Sequence, residues 1–391
     1  MKKILYVTDV FPPHCGGSGW SVYFFARALR QKGYEVQIIS LDGGPRIYDG
    51  FEVQSIPLSR SHLPFVSNWL RENRDLPKIA KSLEQFSTNA DILHAQHRFS
   101  AVALAQAEPS RFFVTVRDYW PVCFCSRSLY RTGVTCNLHD FSRCSREDSV
   151  LKGMAASLVY PWFDARLSRW NALMKKAERI FCISNYLKSQ FEPVFGESKL
   201  SVLPNFAEEI QAAREPKVPE HFVLFTGRLE RNKGAHLLPE IMEKSHIKLP
   251  LVIVGEGGLR HQLEQEFGSR SIDARFMGYL EYPEMLSVLR LSEFILFPSV
   301  WPEPLGRVLI EAAMLRKSCI TFDHPGGHHD IVEHERSGLM AKTIEDYAAS
   351  ASRLANDSSL RIALGNNARA IYESRFSPEI VIPQLLKFYS K

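Results

Sequence analysis

Two glutamates eight residues apart, Glu303 and Glu311, flank the start of an apolar helical run in SVWPEPLGRVLIEA, residues 299–312. Carboxylates are poor partners for phosphate but good acceptors for sugar hydroxyls. Pro304 suits the first position of a helix, where its missing N–H costs nothing. That reading puts Glu303 at or beside the cap and both carboxylates roughly on one helical face. A helix start that follows a strand presents free N–H groups to an anion, and Gly306 lets a ligand approach the backbone closely. The arrangement suits a ligand with phosphate in its middle and hydroxylated groups on either side. A plainer reading also fits: Glu303 caps the helix and Glu311 lies on its surface.

A second stretch, FTGRLERNKG at 225–234, places Arg228 and Lys233 in a glycine-flanked turn after an apolar strand. Two long cations at the carboxyl end of a strand can clamp a diphosphate, or the turn is a solvent-facing basic loop. CGGSG at 15–19 follows the first strand, and VGEGG at 254–258 holds the equivalent place later in the chain. Loops of this kind bring backbone amides close to phosphate, or simply make tight turns. A third concentration of chemistry lies between Cys123 and Cys144. Cys123, Cys125, Cys136 and Cys144, with His139 among them, are numerous enough for a tetrahedral zinc site, although C-x-C is a less usual spacing than C-x2-C. Ordinary thiols are the simpler alternative.

The elements that must position these residues are legible as an alternation. KKILYVTDV, YEVQIISL, DILHAQ, RFFVTV and RIFCIS are short β-rich apolar runs. Helical stretches such as WSVYFFARALRQKG and NYLKSQFEPVFG separate them. The pattern restarts near residue 221 with HFVLFTGRL, PLVIVGEG, ARFMGYL, EFILFPS and SCITF. Such alternation implies parallel sheets wrapped by helices, and 391 residues suit two such domains rather than one core. The polar segment 206–219, with two prolines, reads as the linker. We expect a first domain at 1–206, completed by a helix at 377–391, and a second at 207–376. Ligands of doubly wound sheets bind at the carboxyl ends of the strands, so the expected site is the cleft between the two domains.

Taken together, these residues resemble a retaining glycosyltransferase of family 4, with the two-domain GT-B fold. The likeness spans nearly the whole chain through GGSG, SVLPNF at 201–206, GRLERNKG, GEGG and above all EPLGRVLIE, which matches the family's E-x(7)-E signature. The resemblance implies α/β architecture with two Rossmann-like domains facing across a cleft. It also implies sugar transfer from a nucleoside diphosphate, UDP- or GDP-linked, with retention of configuration. Arg228 and Lys233 would hold the diphosphate, and Glu303 would bind a hydroxyl of the transferred sugar. The amides of Leu305 and Gly306 would contact sugar or phosphate, and Glu311 would bind the ribose. Gly16 and Gly17 would close over the phosphates from the first domain. No divalent metal or other cofactor would be required, because arginine and lysine stabilise the leaving group. One departure stands out: Arg117, in VTVRDYWPVC, occupies the position where relatives carry the histidine of T-x-H-D. It would bind donor phosphate or an anionic acceptor, or pair with Asp118.

Charge and aromatics bear on the acceptor side. Residues 1–205 hold 26 Lys+Arg against 18 Asp+Glu, and residues 206–391 hold 22 against 25. The basic first half suits an anionic partner or is solvated surface charge. SLVYPWFDARLSRWNALMKKAER at 157–179 and HLPFVSNWLRENR at 62–74 mix aromatics with cations, as interfacial helices do and as packed helices with solvated charges also do. The expectation is a glycan or lipid-linked acceptor in polysaccharide or glycoconjugate assembly, with peripheral contact at the inner face of a membrane. The basic excess is too modest, and motifs too few, for nucleic acid. The opening MKKILYVTDVFPP is broken by Asp9 and unlike a leader, and seven cysteines suit a reducing cytoplasm. Two alternatives share the fold: a nucleotide-sugar 2-epimerase, and a catalytically silent nucleotide-binding scaffold.

Overall fold

A computed structural model describes residues 2–43, 47–59, 64–126, 128, 131–148, 150–212 and 214–390. Parts of five stretches taken up above therefore lie outside the described residues: Met1, then His62 and Leu63, then Arg127, Leu129 and Tyr130, then Ala213 of the linker, and the final Lys391. The chain forms two compact units, Met1–Pro204 with Ile382–Lys391, and Asn205–Val381.

Unit 1 is built on eight strands: β1 (Lys3–Thr8), β2 (Glu35–Ser40), β3 (Ile47–Tyr48), β4 (Phe51–Ser55), β5 (Ile92–Ala95), β6 (Phe113–Val116), β7 (Arg179–Cys182) and β8 (Leu200–Val202). Their order is β3-β4-β2-β1-β5-β6-β7-β8. All pair in parallel except the β3–β4 hairpin. The central strands are covered on both faces, which is why they read as unbroken apolar runs rather than alternating ones; Ile4, Leu5, Tyr6 and Val7 are fully buried. After β1 the helix Gly17–Gln31 turns Trp20, Val22, Phe24, Phe25 and Leu29 inward. It stops at Gly33, whose φ of +85° suits glycine and lets Tyr34 N–H reach the Leu29 carbonyl. The helix starts three residues earlier than Trp20, so Gly17 is its first residue and Gly16 its cap.

The C-terminal helix Pro378–Tyr389 ends within unit 1. Its Tyr389 hydroxyl lies 2.6 Å from His94 Nδ1 and 3.4 Å from the Tyr6 hydroxyl, while His94 Nε2 lies 2.8 Å from Thr115 Oγ1. Side chains of β1, β5 and β6 are thus tied to the last turn of the chain by a buried polar chain. A buried polar group costs stability unless it is partnered, so each of these groups depends on the others.

Unit 2 carries six strands: β9 (Val223–Thr226), β10 (Leu251–Val254), β11 (Ala274–Gly278), β12 (Phe294–Phe297), β13 (Cys319–Phe322) and β14 (Leu339–Ala341). They pair in parallel in the order β11-β10-β9-β12-β13-β14. Val223, Phe225, Leu251, Ile253, Phe294, Leu296 and Ile320 supply much of the core, with Leu238, Ile241, Tyr347 and Leu364 packing from the helices. The α/β class and the paired doubly wound sheets match the sequence expectation. Strands β3, β4 and β14, two to five residues long, do not stand out in the sequence because so short a run carries no clear period.

Tyr389→Phe removes one hydroxyl and leaves His94 Nδ1 buried without its partner. We expect a loss of about 1–3 kcal/mol in chemical denaturation. Burial also holds the His94 pKa well below the usual histidine value, so the folded ring stays neutral. Below about pH 6.5 the unfolded chain takes up a proton that the fold refuses, and each such histidine lowers stability by about 1.4 kcal/mol per pH unit. Acid should therefore lower the unfolding midpoint from the weakly acidic range downward; a flat profile between about pH 7 and 5 would contradict a neutral buried His94.

Candidate functional site

In unit 2 the chain order reverses across the sheet between β9 and β12, which makes their carboxyl ends a topological switch point. Glycines bring the loops there into backbone contact. A Cβ on Gly255 would overlap the Gly227 carbonyl, and one on Gly257 would sit 2.5 Å from the Leu229 carbonyl oxygen. The loop after β10 therefore packs directly on the loop after β9. Gly234, at φ +69°, closes the third approach, since a Cβ there would overlap the Pro298 carbonyl beyond β12.

These contacts deliver Lys233 to Glu303. The short helical turn Arg231–Lys233 precedes Gly234, and Lys233 Nζ lies 2.6 Å from Glu303 Oε1. Ser299 Oγ donates to the same oxygen at 2.9 Å. Glu303 is only 3% exposed, and the Lys233 ammonium also lies 5.0 Å from the centre of the Trp301 ring. The loop after β13 completes the surroundings of Glu303. Gly327 N–H donates to the Glu303 carbonyl at 2.7 Å, and His324 Nε2 lies 2.8 Å from the Ser299 carbonyl oxygen. His328 in the same loop is buried, which depresses its pKa to about 3 and keeps its ring neutral.

The helix that follows begins at Arg307, not at Pro304, and its cap is Gly306 with φ +86°. This corrects the expectation that Glu303 sits at a helix start and shares one helical face with Glu311. The reason is local. A residue before proline is driven to extended backbone, so Trp301 and Glu303 are extended by Pro302 and Pro304, and the left-handed Gly306 is incompatible with helix. Glu303 is set on an irregular turn, free to face the β9 loop. Leu305 is buried, and it and Gly306 precede the first helical turn.

Glu311 belongs to a separate pair. It is 1% exposed and lies 2.7 Å from Arg307 Nε, one helical turn earlier. Arg307 also reaches the Tyr282 hydroxyl at 3.2 Å. Burial pushes the Glu311 carboxyl upward, opposed by the Arg307 charge and by hydrogen bonds from Tyr282 and Arg307. Arg228 is more exposed and is held by Glu230 at 2.8 Å. The two cations of the β9 loop thus have different partners: Lys233 joins the buried carboxylate and Arg228 stays at the surface.

Unit 1 has its own switch point between β1 and β5. Thr8 Oγ1 lies 2.9 Å from His97 Nδ1 across it. The Asp9 carboxylate accepts from the amides of Phe99 at 2.9 Å and Ser100 at 2.7 Å, at the start of the helix Arg98–Gln106. Gly16 and Gly17 stand after β1. Arg117, after β6, is buried and donates from both terminal nitrogens to Gln96, one of them at 2.8 Å to Oε1. The cation that opposes the burial of Asp118 is Arg98. Sequence reasoning missed Ser299, Trp301, His324 and His328 in unit 2, and Asp9, Gln96 and His97 in unit 1. The HPGGHH run directly after SCITF and the polar AQHR directly after DILH were the available signals.

All seven cysteines are thiols, as the sequence leads one to expect. Among the described residues no group of three or more His, Cys, Asp or Glu side chains is arranged to hold a metal ion. The Cys136 thiol hydrogen-bonds Cys123, and Ser128 N–H donates to Cys123 Sγ at 3.3 Å. The aromatics of 157–179 largely pack inward. Phe163 meets Phe124 and Phe141, and Arg166 is buried against Trp162, Phe163 and Trp170.

Comparison with known proteins fits this geometry. Residues 15–209 match the family described as Glycosyltransferase Family 4, and residues 206–371 match Glycosyl transferases group 1. The spore coat protein SA of Bacillus subtilis is 29% identical over 209 residues, 48% of this chain and 55% of that protein. A Campylobacter jejuni alpha-1,4-N-acetyl-D-galactosaminyltransferase, named for a sugar chain on PP-undecaprenol, is 32% identical over 165 residues, covering 38% of this chain and 43% of that one. The matches thus span about half the length of these curated relatives. The Anabaena protein HepE, solved with UDP and glucose, shares the fold over 100% of both chains at a TM-score of 0.70 and 16% identity. With the paired parallel sheets and the two family matches running almost end to end, the chain belongs to the glycosyltransferases, family 4 in its first half and group 1 in its second.

Proposed function

We propose that the protein moves a sugar from a nucleoside-diphosphate donor, UDP- or GDP-linked, to a glycan or lipid-linked acceptor in polysaccharide or glycoconjugate assembly, with retention of anomeric configuration. The observation that carries this reading is the buried Glu303–Lys233 pair at the switch point of unit 2. A lone buried carboxylate would be expensive to keep charged. Held by an ammonium and the Ser299 hydroxyl, it stays ready to accept hydrogen bonds from sugar hydroxyls. The same ammonium supplies positive charge where a leaving diphosphate becomes more negative, and Arg228 adds a second cation at the surface of the same loop.

The remaining assignments follow from position. Leu305 and Gly306, ahead of the helix Arg307–Met314, offer amides to sugar or phosphate. Glu311 takes the ribose hydroxyls, Gly16 and Gly17 offer backbone amides to phosphate, and Arg117 serves an anionic group of donor or acceptor. In this scheme the cationic side chains do the work of a divalent ion, and no organic cofactor is called for. HepE was solved with UDP and glucose, which supports a nucleoside diphosphate as donor. The undecaprenol-linked substrate named for the Campylobacter relative supports a lipid-linked acceptor. On this reading the chain works in the cytoplasm, at the inner face of a membrane.

Incubating the protein with a panel of UDP- and GDP-sugars, with thermal shift as the first readout, should identify one stabilising donor. Glu303→Gln should lower transfer from that donor by about 10²–10³-fold while leaving nucleotide affinity nearly unchanged. Turnover at the wild-type rate would remove Glu303 from the reaction, and a new epimeric nucleotide sugar formed without acceptor would redirect the assignment to an epimerase. Glu311→Gln should weaken UDP or GDP binding with little effect on the rate at saturating donor, and unaltered affinity would argue against the ribose role.

A double-mutant cycle tests the pair itself. Lys233→Met strands a buried carboxylate and should destabilise unit 2 by about 3 kcal/mol. Adding Glu303→Gln should recover most of that loss, because no charge is then left uncompensated, but should not recover transfer. Strictly additive losses of stability would mean that the two side chains do not depend on each other.

A further inference from the structure

A buried charge needs a partner, and one in unit 1 lacks it. Arg166, on the helix Val150–Met174, is 4% exposed. Its guanidinium lies 4.7 Å from the centre of the Trp162 ring, 4.4 Å from that of Phe163 and 4.7 Å from that of Trp170. Ring faces attract a cation, but they do not satisfy five N–H donors. Among the described residues Arg166 donates no hydrogen bond and forms no ion pair. Burial, and then the charge of Arg98, push its pKa down to about 9, so it is still a cation at neutral pH.

Arg98 opens the helix Arg98–Gln106 and shares the same indole, 6.0 Å from the centre of the Trp170 ring. Among the described residues it too donates no hydrogen bond; its guanidinium rests 4.5 Å from the centre of the Phe99 ring. Two like charges from two helices therefore flank one aromatic ring with their donors unused. The neighbouring carboxylates do not take them. Glu72 is buried and held by Arg169, and its Oε2 is left without a partner. Asp9 and Asp118 feel the Arg98 charge. Yet Asp9 accepts from the amides of Phe99 and Ser100, and Asp118 from the amide of Trp120 at 2.8 Å. Unused donors on a buried cation call for a ligand with oxygens to offer. A carboxylate has two oxygens and is satisfied by one arginine in bidentate fashion, whereas a phosphoryl group has enough to bridge two guanidinium groups.

We propose that Arg98 and Arg166 form a binding site for a phosphoryl group in unit 1, with its oxygens bridging the two guanidinium groups beside Trp170. In the proposed transfer this group belongs to the acceptor, as the phosphate of a lipid-linked glycan. That assignment rests on the transfer reading, and the site itself does not.

Inorganic pyrophosphate, titrated into the full chain by calorimetry, is the probe. Wild type should bind it more tightly than glucuronate, with an affinity that falls as salt rises. Arg98→Gln and Arg166→Met should each weaken pyrophosphate binding at least tenfold. Without anion, Arg166→Met should unfold at or above the wild-type temperature, because an apolar chain then replaces a buried cation that has no partner. An arginine that serves only to hold its rings together would behave in the opposite way. A lower unfolding temperature for Arg166→Met together with unchanged pyrophosphate affinity would therefore overturn the proposal. So would pyrophosphate binding that is lost in Arg228→Gln and kept in both unit 1 variants, since the anion would then sit on the β9 loop. Tighter binding of glucuronate than of pyrophosphate would overturn the phosphoryl class. Pyrophosphate binding that depends on Arg98 and Arg166 in a chain that transfers no sugar would sustain the site and defeat the transfer reading.

Discussion

The rest of unit 2 is organised around a carboxylate that lies nearly out of water. Glu303 is 3% exposed, with an ammonium 2.6 Å away and a hydroxyl donating to the same oxygen, and removing one partner of such a buried pair is what costs stability. Each partner comes from a different strand end. Lys233 comes from the loop after β9, Ser299 from the segment after β12, and the backbone of Glu303 is fixed by Gly327 after β13. The glycine at 234 is a consequence of that requirement. The loop after β9 can reach the carboxylate only if its backbone touches the segment after β12, and a side chain at this position would hold the two apart, while Gly255 and Gly257 let the loop after β10 pack on the loop after β9. The order of the strands matters for the same reason. At a switch point the two neighbouring strands are followed by loops that diverge, which opens the space that the pair occupies.

Unit 1 solves a related problem with neutral and capped groups. Its switch point is crossed by Thr8 and His97, and by Asp9 on the amides that open the helix Arg98–Gln106. Burial raises the Asp9 carboxyl and the two amides oppose that rise. His94 and His97 are driven toward neutrality by burial and by the Arg117 charge. The arginine that replaces a histidine at position 117 is thus accommodated by rings that give up their charge around it, and by Gln96, which accepts from it. The polar chain from His94 to Tyr389 extends the arrangement to the final turn of the chain.

How much of this was legible in the sequence depends on the kind of information involved. The alternation of apolar runs and helical stretches disclosed both sheets, because a strand covered on two faces leaves an unbroken apolar run. The candidate residues of the β9 loop and of EPLGRVLIE were legible as types and spacings. What spacing did not disclose was pairing. Glu303 and Glu311 read as one helical face, yet two prolines and a left-handed glycine delay the helix to Arg307 and give each carboxylate its own cation. Arg228 and Lys233 read as a clamp, yet only one of them is turned to the buried carboxylate. The basic–aromatic helix at 157–179 read as an interfacial face, but aromatic rings are the side chains that lose most by exposure, and they went inward.

The Arg307–Glu311 pair shows why such pairing matters for chemistry. A carboxyl this deeply buried tends toward its protonated form, which would donate as well as accept. The guanidinium one turn earlier opposes that tendency and is itself strengthened by the pair. Arg307 and Tyr282 together oppose the rise that burial imposes on the Glu311 carboxyl. In the proposed role, Glu311 does not wait at the surface for its ligand. It is held in place by a cation on its own helix, and nucleotide binding then adds acceptor contacts without having to create the charge. A cation also faces the other carboxylate of the signature, since Lys233 lies 2.6 Å from Glu303. Both halves of the signature are therefore ion pairs within the fold itself, and in the proposed roles the ligand contacts are added to those pairs.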